Sequence, residues 1–315
     1  TDVKKILIEM EKNMQFQWYP GHMTKAKRQM QEDIKLIDLV IELVDARIPL
    51  ASRNPDIDEL GKNKARLILM NKSDLSDAGR NREWSDFFRE KGYYVVCLDA
   101  RSKAGMKDVT NVVMEACKEK IERDRKRGIK NRPVRAMVVG IPNVGKSTFI
   151  NSYAGKACAK TGNKPGVTKG KQWIRLNKNV ELLDTPGILW PKFEDQHVGE
   201  LLAMTGAIKD QVLDPLRIAT ALCATLRVQA PDLFAARYKL GDLAQYNEID
   251  DTALFHLIGK KRGMLISGGE IDEERTANML LDEFRHGKIG RITLERPPFS
   301  KKPEQITEKS EPAGN

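Results

Sequence analysis

The run Gly140-Ile141-Pro142-Asn143-Val144-Gly145-Lys146-Ser147 has the form G-x-x-x-x-G-K-S, a pattern suited to holding phosphate. Its glycines let backbone N–H groups wrap around phosphate oxygens, and a helix starting at Lys146 adds a favourable dipole. Lys146 is placed to reach the β- and γ-phosphates, Ser147 to offer its hydroxyl to Mg²⁺, and Val144, Gly145 and Thr148 to complete the cradle. Downstream, Asp184-Thr185-Pro186-Gly187 supplies a carboxylate for the same metal, through water, and an N–H at Gly187 for the γ-phosphate. A loop threonine between the two motifs is expected as a second protein ligand. Thr168 in Gly166-Val167-Thr168 is the preferred choice and Thr161 the competing one. Alone, either motif could be a glycine-rich or strand-terminating turn; a strand before and a helix after the first favour phosphate binding.

A third constellation reads a base. Asn71-Lys72-Ser73-Asp74 follows an apolar run and resembles the guanine-specificity motif N-K-x-D of translation-factor-type GTPases. The Asp74 carboxylate suits the paired N1/N2 donors of guanine, Asn71 suits N7, and the Lys72 stem can lie over the purine face. Adenine lacks those paired donors. After the next strand, Asp99-Ala100-Arg101 stands in the place of an S-A-K-like motif, where the Ala100 N–H would meet guanine O6, although Asp99 replaces the common serine.

These motifs need a scaffold that brings strand ends together. Apolar, β-branched runs predict strands at 38–44, 66–70, 94–98, 134–139, 172–176 and 179–183. Helical spacing predicts helices at 54–60, 76–91, 106–127 and 146–154, the third stopped by Gly128 and Pro133. Alternation of this kind predicts an α/β fold with a mostly parallel sheet covered on both faces. From about 196 onward helical signals dominate, at 201–208, 215–226, 253–258 and 276–284, which predicts a smaller all-helical domain. The expected division is a nucleotide-binding domain at 14–195, a helical domain at 196–296 and a disordered tail at 297–315 rich in Pro, Lys, Glu and Ser.

The 315 residues are 40% hydrophobic and 31% charged, which excludes a disordered or low-complexity chain. No apolar run approaches the ~20 residues of a membrane span, and no secretory leader is evident, so a soluble, cytoplasmic protein is expected. Cys97, Cys117, Cys158 and Cys223 are scattered without a C-x-x-C pair and read as reduced packing residues. The net charge of +10 favours an anionic partner such as RNA. The basic run 118–132 is interleaved with Glu119, Glu122 and Asp124 and reads as a solvated helix face. Lys260-Lys261-Arg262-Gly263 is the preferred phosphate-backbone contact.

The base-reading motif precedes the phosphate loop, the reverse of the usual GTPase order. With Trp18-Tyr19-Pro20-Gly21-His22-Met23, Asp45-Ala46-Arg47, the loop ending at Thr168, and Asp184 to Pro191, this order resembles the circularly permuted P-loop GTPases of the bacterial ribosome biogenesis GTPase A (YlqF) type, up to about Arg296. The resemblance implies binding of GTP and GDP with Mg²⁺, hydrolysis stimulated by the ribosome, and late assembly of the large ribosomal subunit. It implies contact between the helical domain and rRNA, with no DNA and no integral membrane association, by a monomeric protein. Ile188 stands where a water-orienting Gln is usual. Asn143 resembles the asparagine of potassium-stimulated GTPases, where K⁺ would stabilise transition-state charge. His22 is a second candidate to orient water, or else a turn residue or RNA contact. The expected catalytic set is therefore His22, Asn143, Lys146, Thr168 and Gly187, with Ser147, Thr168 and Asp184 on the metal. Arg47 is left between an ion-pair partner and an RNA contact. A nucleotide-gated rRNA-binding module, or another paralogue of the permuted class, is the alternative; a tRNA-modification or membrane-signalling GTPase is disfavoured because no matching domain or span is seen.

Overall fold

The computed structural model describes residues 28–129, 132–155, 172–176, 178–184, 196–208 and 214–298. Six strands, β1 (Leu39–Asp45), β2 (Ala65–Asn71), β3 (Tyr94–Cys97), β4 (Val134–Gly140), β5 (Gln172–Arg175) and β6 (Val180–Asp184), form one sheet in the order β3-β2-β1-β4-β6-β5. All neighbours are parallel except β5, which pairs antiparallel with β6. Every residue of β1 is buried, because Leu-Val-Ile-Glu-Leu-Val-Asp has few polar groups on either face and therefore suits the middle of a covered sheet. The single internal charge, Glu42, is buried but accepts from Arg53 at 2.9 Å and Arg66 at 3.2 Å.

Helices α1 (Asp56–Leu60), α2 (Ala78–Glu90), α3 (Met106–Ala116), α4 (Lys118–Lys126) and α5 (Lys146–Ala154) connect the strands. The one helix expected over 106–127 is two. Cys117 leaves helical geometry with ψ 8, because α3 buries Met106, Val109 and Val113 against the sheet whereas α4 has no fully buried residue and only Ile121 packs partly against the core.

Beyond β6 the described elements are helical: α6 (Gln196–Met204), α7 (Pro215–Gln229), α8 (Pro231–Tyr238), α9 (Asp251–Lys261) and α10 (Glu273–Arg285). The last two begin earlier than apolar spacing indicates because Asp250 and Asp272 cap them, accepting from the N–H groups of Ala253 and Arg275. Helix α8 was not expected; it starts with Pro231 two residues after α7 ends, so its apolar spacing merges with that of α7. One buried apolar cluster joins the sheet positions Ile41, Leu43 and Val138 to Leu202, Leu222, Leu254 and Leu280 of these helices. On the other face Val44, Met70, Trp84 and Phe88 form a separate cluster. A final segment returns to the sheet: Ile292 and Leu294 donate N–H groups to Leu75 and Arg47 carbonyls, and Trp84 Nε1 donates to Glu295 O at 3.3 Å. No described helix is long and apolar enough to cross a membrane.

Candidate nucleotide site

The parallel register sets the site, because loops leaving the carboxyl ends of adjacent parallel strands necessarily cluster at one edge. Gly140, which ends β4, lies beside Leu43, and Asp45 of β1 lies beside Asn71 of β2. The loop from Gly140 to Gly145 therefore faces the loop that begins at Asn71. A Cβ on Gly140 would sit 2.8 Å from the Leu43 carbonyl, so β4 can approach β1 here only without a side chain. Gly145 has φ +95, and a Cβ there would lie 2.4 Å from Asn71 Nδ2. Helix α5 starts directly after it with no side-chain cap, which leaves its first-turn N–H groups aimed at the loop. Lys146 is buried in that first turn, with Ser147 and Thr148 half-buried behind it. Val144 is buried, whereas Asn143 is exposed, adopts a left-handed φ of 58 and donates from Nδ2 to the Gly206 carbonyl at 2.8 Å.

Asn71 joins the two loops. Its Nδ2 donates to Val144 O at 2.7 Å, and its Oδ1 accepts from the Ala100 N–H at 3.0 Å. One amide hydrogen remains for a base nitrogen. Ala100 is in turn tied to α5, because Ser152 Oγ donates to its carbonyl at 2.6 Å. A contact from the Ala100 N–H to guanine O6 thus has to share or exchange the bond to Asn71. Asp99 folds its own loop by accepting from the N–H groups of Arg101 at 2.9 Å and Ser102 at 3.2 Å, which accounts for a carboxylate where serine is usual. Burial raises its pKa, but these bonds outweigh burial and hold it below the ordinary range. Asp74 is partly exposed and accepts from Arg101 Nη2 at 3.1 Å through one oxygen.

Lys72 also has a left-handed φ, 61, and its Nζ lies 2.9 Å from Asp45 Oδ2. Arg47 grips the same carboxylate twice, Nε to Oδ1 at 2.9 Å and Nη2 to Oδ2 at 2.7 Å. Burial alone would raise the Asp45 pKa, yet the two cations and their hydrogen bonds hold it far below the ordinary carboxylate range, so Asp45 is ionised. Burial lowers Lys72, and Arg47 and Arg101 add to this against the pull of Asp45. Arg47 is therefore a buried ion-pair partner, 1% exposed, and not a surface contact. The sequence signal was the Asp-x-Arg at the end of β1, whose short spacing allows both N–H and guanidinium of Arg47 to reach one carboxylate. The Arg101–Asp74 pair and the Ser152 tie had no local signal, since they join residues 27 and 52 positions apart.

His22, Thr161, Thr168, Gly187, Ile188, Trp18 and Trp190 lie outside the described residues, as does the side chain of Asp184, whose backbone ends β6 opposite Val138. The basic turn after α9 is partly engaged: Lys261 Nζ donates to the Lys239 carbonyl at 2.8 Å and Arg262 pairs with Glu283 at 2.7 Å, while Lys260 is exposed. Along 118–126 no residue is buried and Lys120 pairs with Asp124 at 2.6 Å, as a solvated face would.

A parallel sheet with a glycine-rich phosphate loop after a central strand, and a base-reading loop contributed by an earlier strand, defines a P-loop GTPase of permuted motif order, a guanine-nucleotide-binding hydrolase. A family model described as a 50S ribosome-binding GTPase matches residues 135–231. The ribosome biogenesis GTPase A of Bacillus cereus is 49% identical over 90% of this chain and 95% of its own length, and that of Thermotoga maritima is 33% identical over 89% and 94%. The crystal structure of GNP-bound YlqF from T. maritima superimposes with a TM-score of 0.59 at 30% identity, covering 87% of this chain and 99% of the other. This chain belongs to the ribosome biogenesis GTPase A family.

Proposed function

We propose that this GTPase engages the immature large ribosomal subunit and promotes its late assembly, hydrolysing GTP at a rate that the particle accelerates. The observation that carries the nucleotide reading is Asn71, bonded to Val144 O and to the Ala100 N–H, which draws the base loop and the phosphate loop to one edge of the sheet. In this reading Asn71, Lys72 and Asp74 hold guanine, with Asp99 and Ala100 shaping the pocket wall. Val144, Gly145, Lys146, Ser147 and Thr148 surround the phosphates, and Gly187 offers an N–H to the γ-phosphate.

The oxygen donors of Ser147, Thr168 and Asp184 suit Mg²⁺, a hard cation that would neutralise charge between the β- and γ-phosphates. Ser147 sits in the first turn of α5, where a hydroxyl beside the phosphate cradle is well placed for such an ion. Asn143 and a K⁺ ion would supply further charge stabilisation. The apolar Ile188 cannot orient water, so His22 or a group brought by the particle takes that part. Residues 14–195 form the GTPase domain, 196–296 a helical domain that contacts rRNA, and 297–315 a tail. The names of the relatives, and the net charge of +10, support a ribosomal partner in the cytoplasm.

The test is GTP turnover by the full chain with and without large-subunit particles, in potassium and then in sodium. Stimulation on the order of a hundred-fold, greater in potassium, is expected. Absence of stimulation in either salt would favour a nucleotide-gated rRNA-binding module. His22→Ala with full stimulated turnover would remove His22 from catalysis.

A further inference from the structure

The last carbonyls of an α-helix have no partner within the helix and carry the negative end of its dipole. At the end of α6 four successive carbonyls are met by side chains from three distant elements. Arg285 at the end of α10 donates from Nη2 to Ala203 O at 2.8 Å and from Nε to Met204 O at 3.1 Å. Arg47, leaving β1, donates from Nη2 to Thr205 O at 3.3 Å, and Asn143 of the phosphate loop donates to Gly206 O at 2.8 Å. Gly206, with φ +77, permits the tight turn that presents the carbonyls, and a Cβ built on it would lie 3.3 Å from Arg285 Nε.

Two of these three side chains belong to the nucleotide edge. Arg47 holds Asp45, Asp45 holds the Lys72 ammonium, and Lys72 sits in the base loop. Arg47 also lies 5.4 Å over the Phe284 ring and reaches the Arg285 carbonyl at 3.4 Å, so the same guanidinium touches α10. A fork with fixed donors suits this task, because one planar group can grip a carboxylate and two helix ends together, which a lysine ammonium cannot.

We propose that Arg47 is a positioning residue for guanine-nucleotide binding, fixing Lys72 through Asp45 and locking the base loop to the end of α6, to which Asn143 ties the phosphate loop. The helical half is thereby part of the nucleotide site: what orders the two loops stabilises the end of α6, and loosening that end weakens nucleotide binding by the same factor. The proposal rests on guanine sitting at Asn71 to Asp74.

The test combines hydrogen exchange of the full chain with GDP affinity. In the wild-type protein GDP slows exchange at residues 201–208 and 283–288, outside the nucleotide motifs. Arg285→Lys, which changes a clamp on α6 carbonyls outside the nucleotide loops, weakens GDP by roughly five-fold or more. Arg47→Lys retains a cation beside Asp45 but loses the GDP-dependent protection of 201–208, a readout that a residue serving stability alone would leave intact. Unchanged exchange at 201–208 when GDP binds wild type would overturn the proposal, as would a folded Arg285→Lys chain with wild-type GDP affinity. If Arg285→Lys does not fold, the wild-type exchange decides. A wild-type chain that binds ADP as well as GDP removes the premise about guanine instead, so the two failures are distinguishable.

Discussion

At Gly145 two requirements coincide that no other residue meets. The backbone is left-handed, φ +95, and the space a Cβ would take is occupied by Asn71 Nδ2 at 2.4 Å. Gly145→Ala therefore adds strain of about 1–3 kcal/mol and displaces the amide that ties the base loop to Val144. Titration with a fluorescent GDP analogue should show affinity reduced by more than about ten-fold, and a melting curve should show the chain still folded. Single residues of this kind were legible from the sequence because the G-x-x-x-x-G-K-S spacing carries its own geometry. The further role of Asn71 as a bridge was not, because its partners Val144 and Ala100 lie 73 and 29 residues away and only the registers of β2 with β3 and of β1 with β2 and β4 bring them close.

Among the elements, the returning segment 291–296 binds the helical half to the sheet. It runs beside the base loop, where Arg291 donates to the Ser73 and Ser76 carbonyls, and Thr293 Oγ1 accepts from the Asp77 N–H at 3.1 Å. Glu295 ends it, accepting from the N–H groups of Leu50 at 2.7 Å and Ala51 at 2.9 Å. Burial, with repulsion from Asp45, pushes its carboxyl up to about 7 against those two bonds. The folded protein then holds this proton more tightly than the unfolded chain, whose glutamate titrates near 4.5. The contribution of Glu295 to stability is present in full below about 4.5 and is lost as pH rises toward about 7. Melting temperatures of wild type and Glu295→Gln across pH 4.5 to 8 should diverge, with the wild type losing stability over that window relative to the variant. Strands and most helices were legible because buried apolar runs and helical spacing are local. The split at Cys117 was not, since it depends on which part of a continuous helical pattern finds the sheet to pack on. This strap was equally hidden: Arg291 to Arg296 reads as the end of a helical domain, and its partners near 47, 75 and 84 come from the opposite end of the chain.

In the whole molecule, permutation moves the chain ends and leaves the nucleotide edge intact. The sheet order β3-β2-β1-β4-β6-β5 places the base loop's strand one position from β1 and the phosphate loop's strand one position on its other side. The motif order, read with the apolar strands, was enough to anticipate this fold. What the order could not convey is that the helices beyond β6 close onto the same edge through Arg47 and Asn143, because carbonyl contacts at a helix end leave no side-chain pattern. The permuted chain thus sets the end of α6 against Arg47 and the phosphate loop.

In the proposed reading motifs in permuted order build one guanine site, and equilibrium binding of GDP, ADP and xanthosine diphosphate to wild type and Asp74→Asn tests it most directly. In that reading Asp74 accepts the paired donors of guanine, whereas an asparagine amide opposes the guanine amino group and suits the carbonyl that xanthine carries there. Wild type should prefer GDP over ADP, and Asp74→Asn should lose GDP by roughly a hundred-fold while gaining xanthosine diphosphate. An Asp74→Asn chain that binds GDP as tightly as wild type, with no gain for xanthosine diphosphate, would contradict the account.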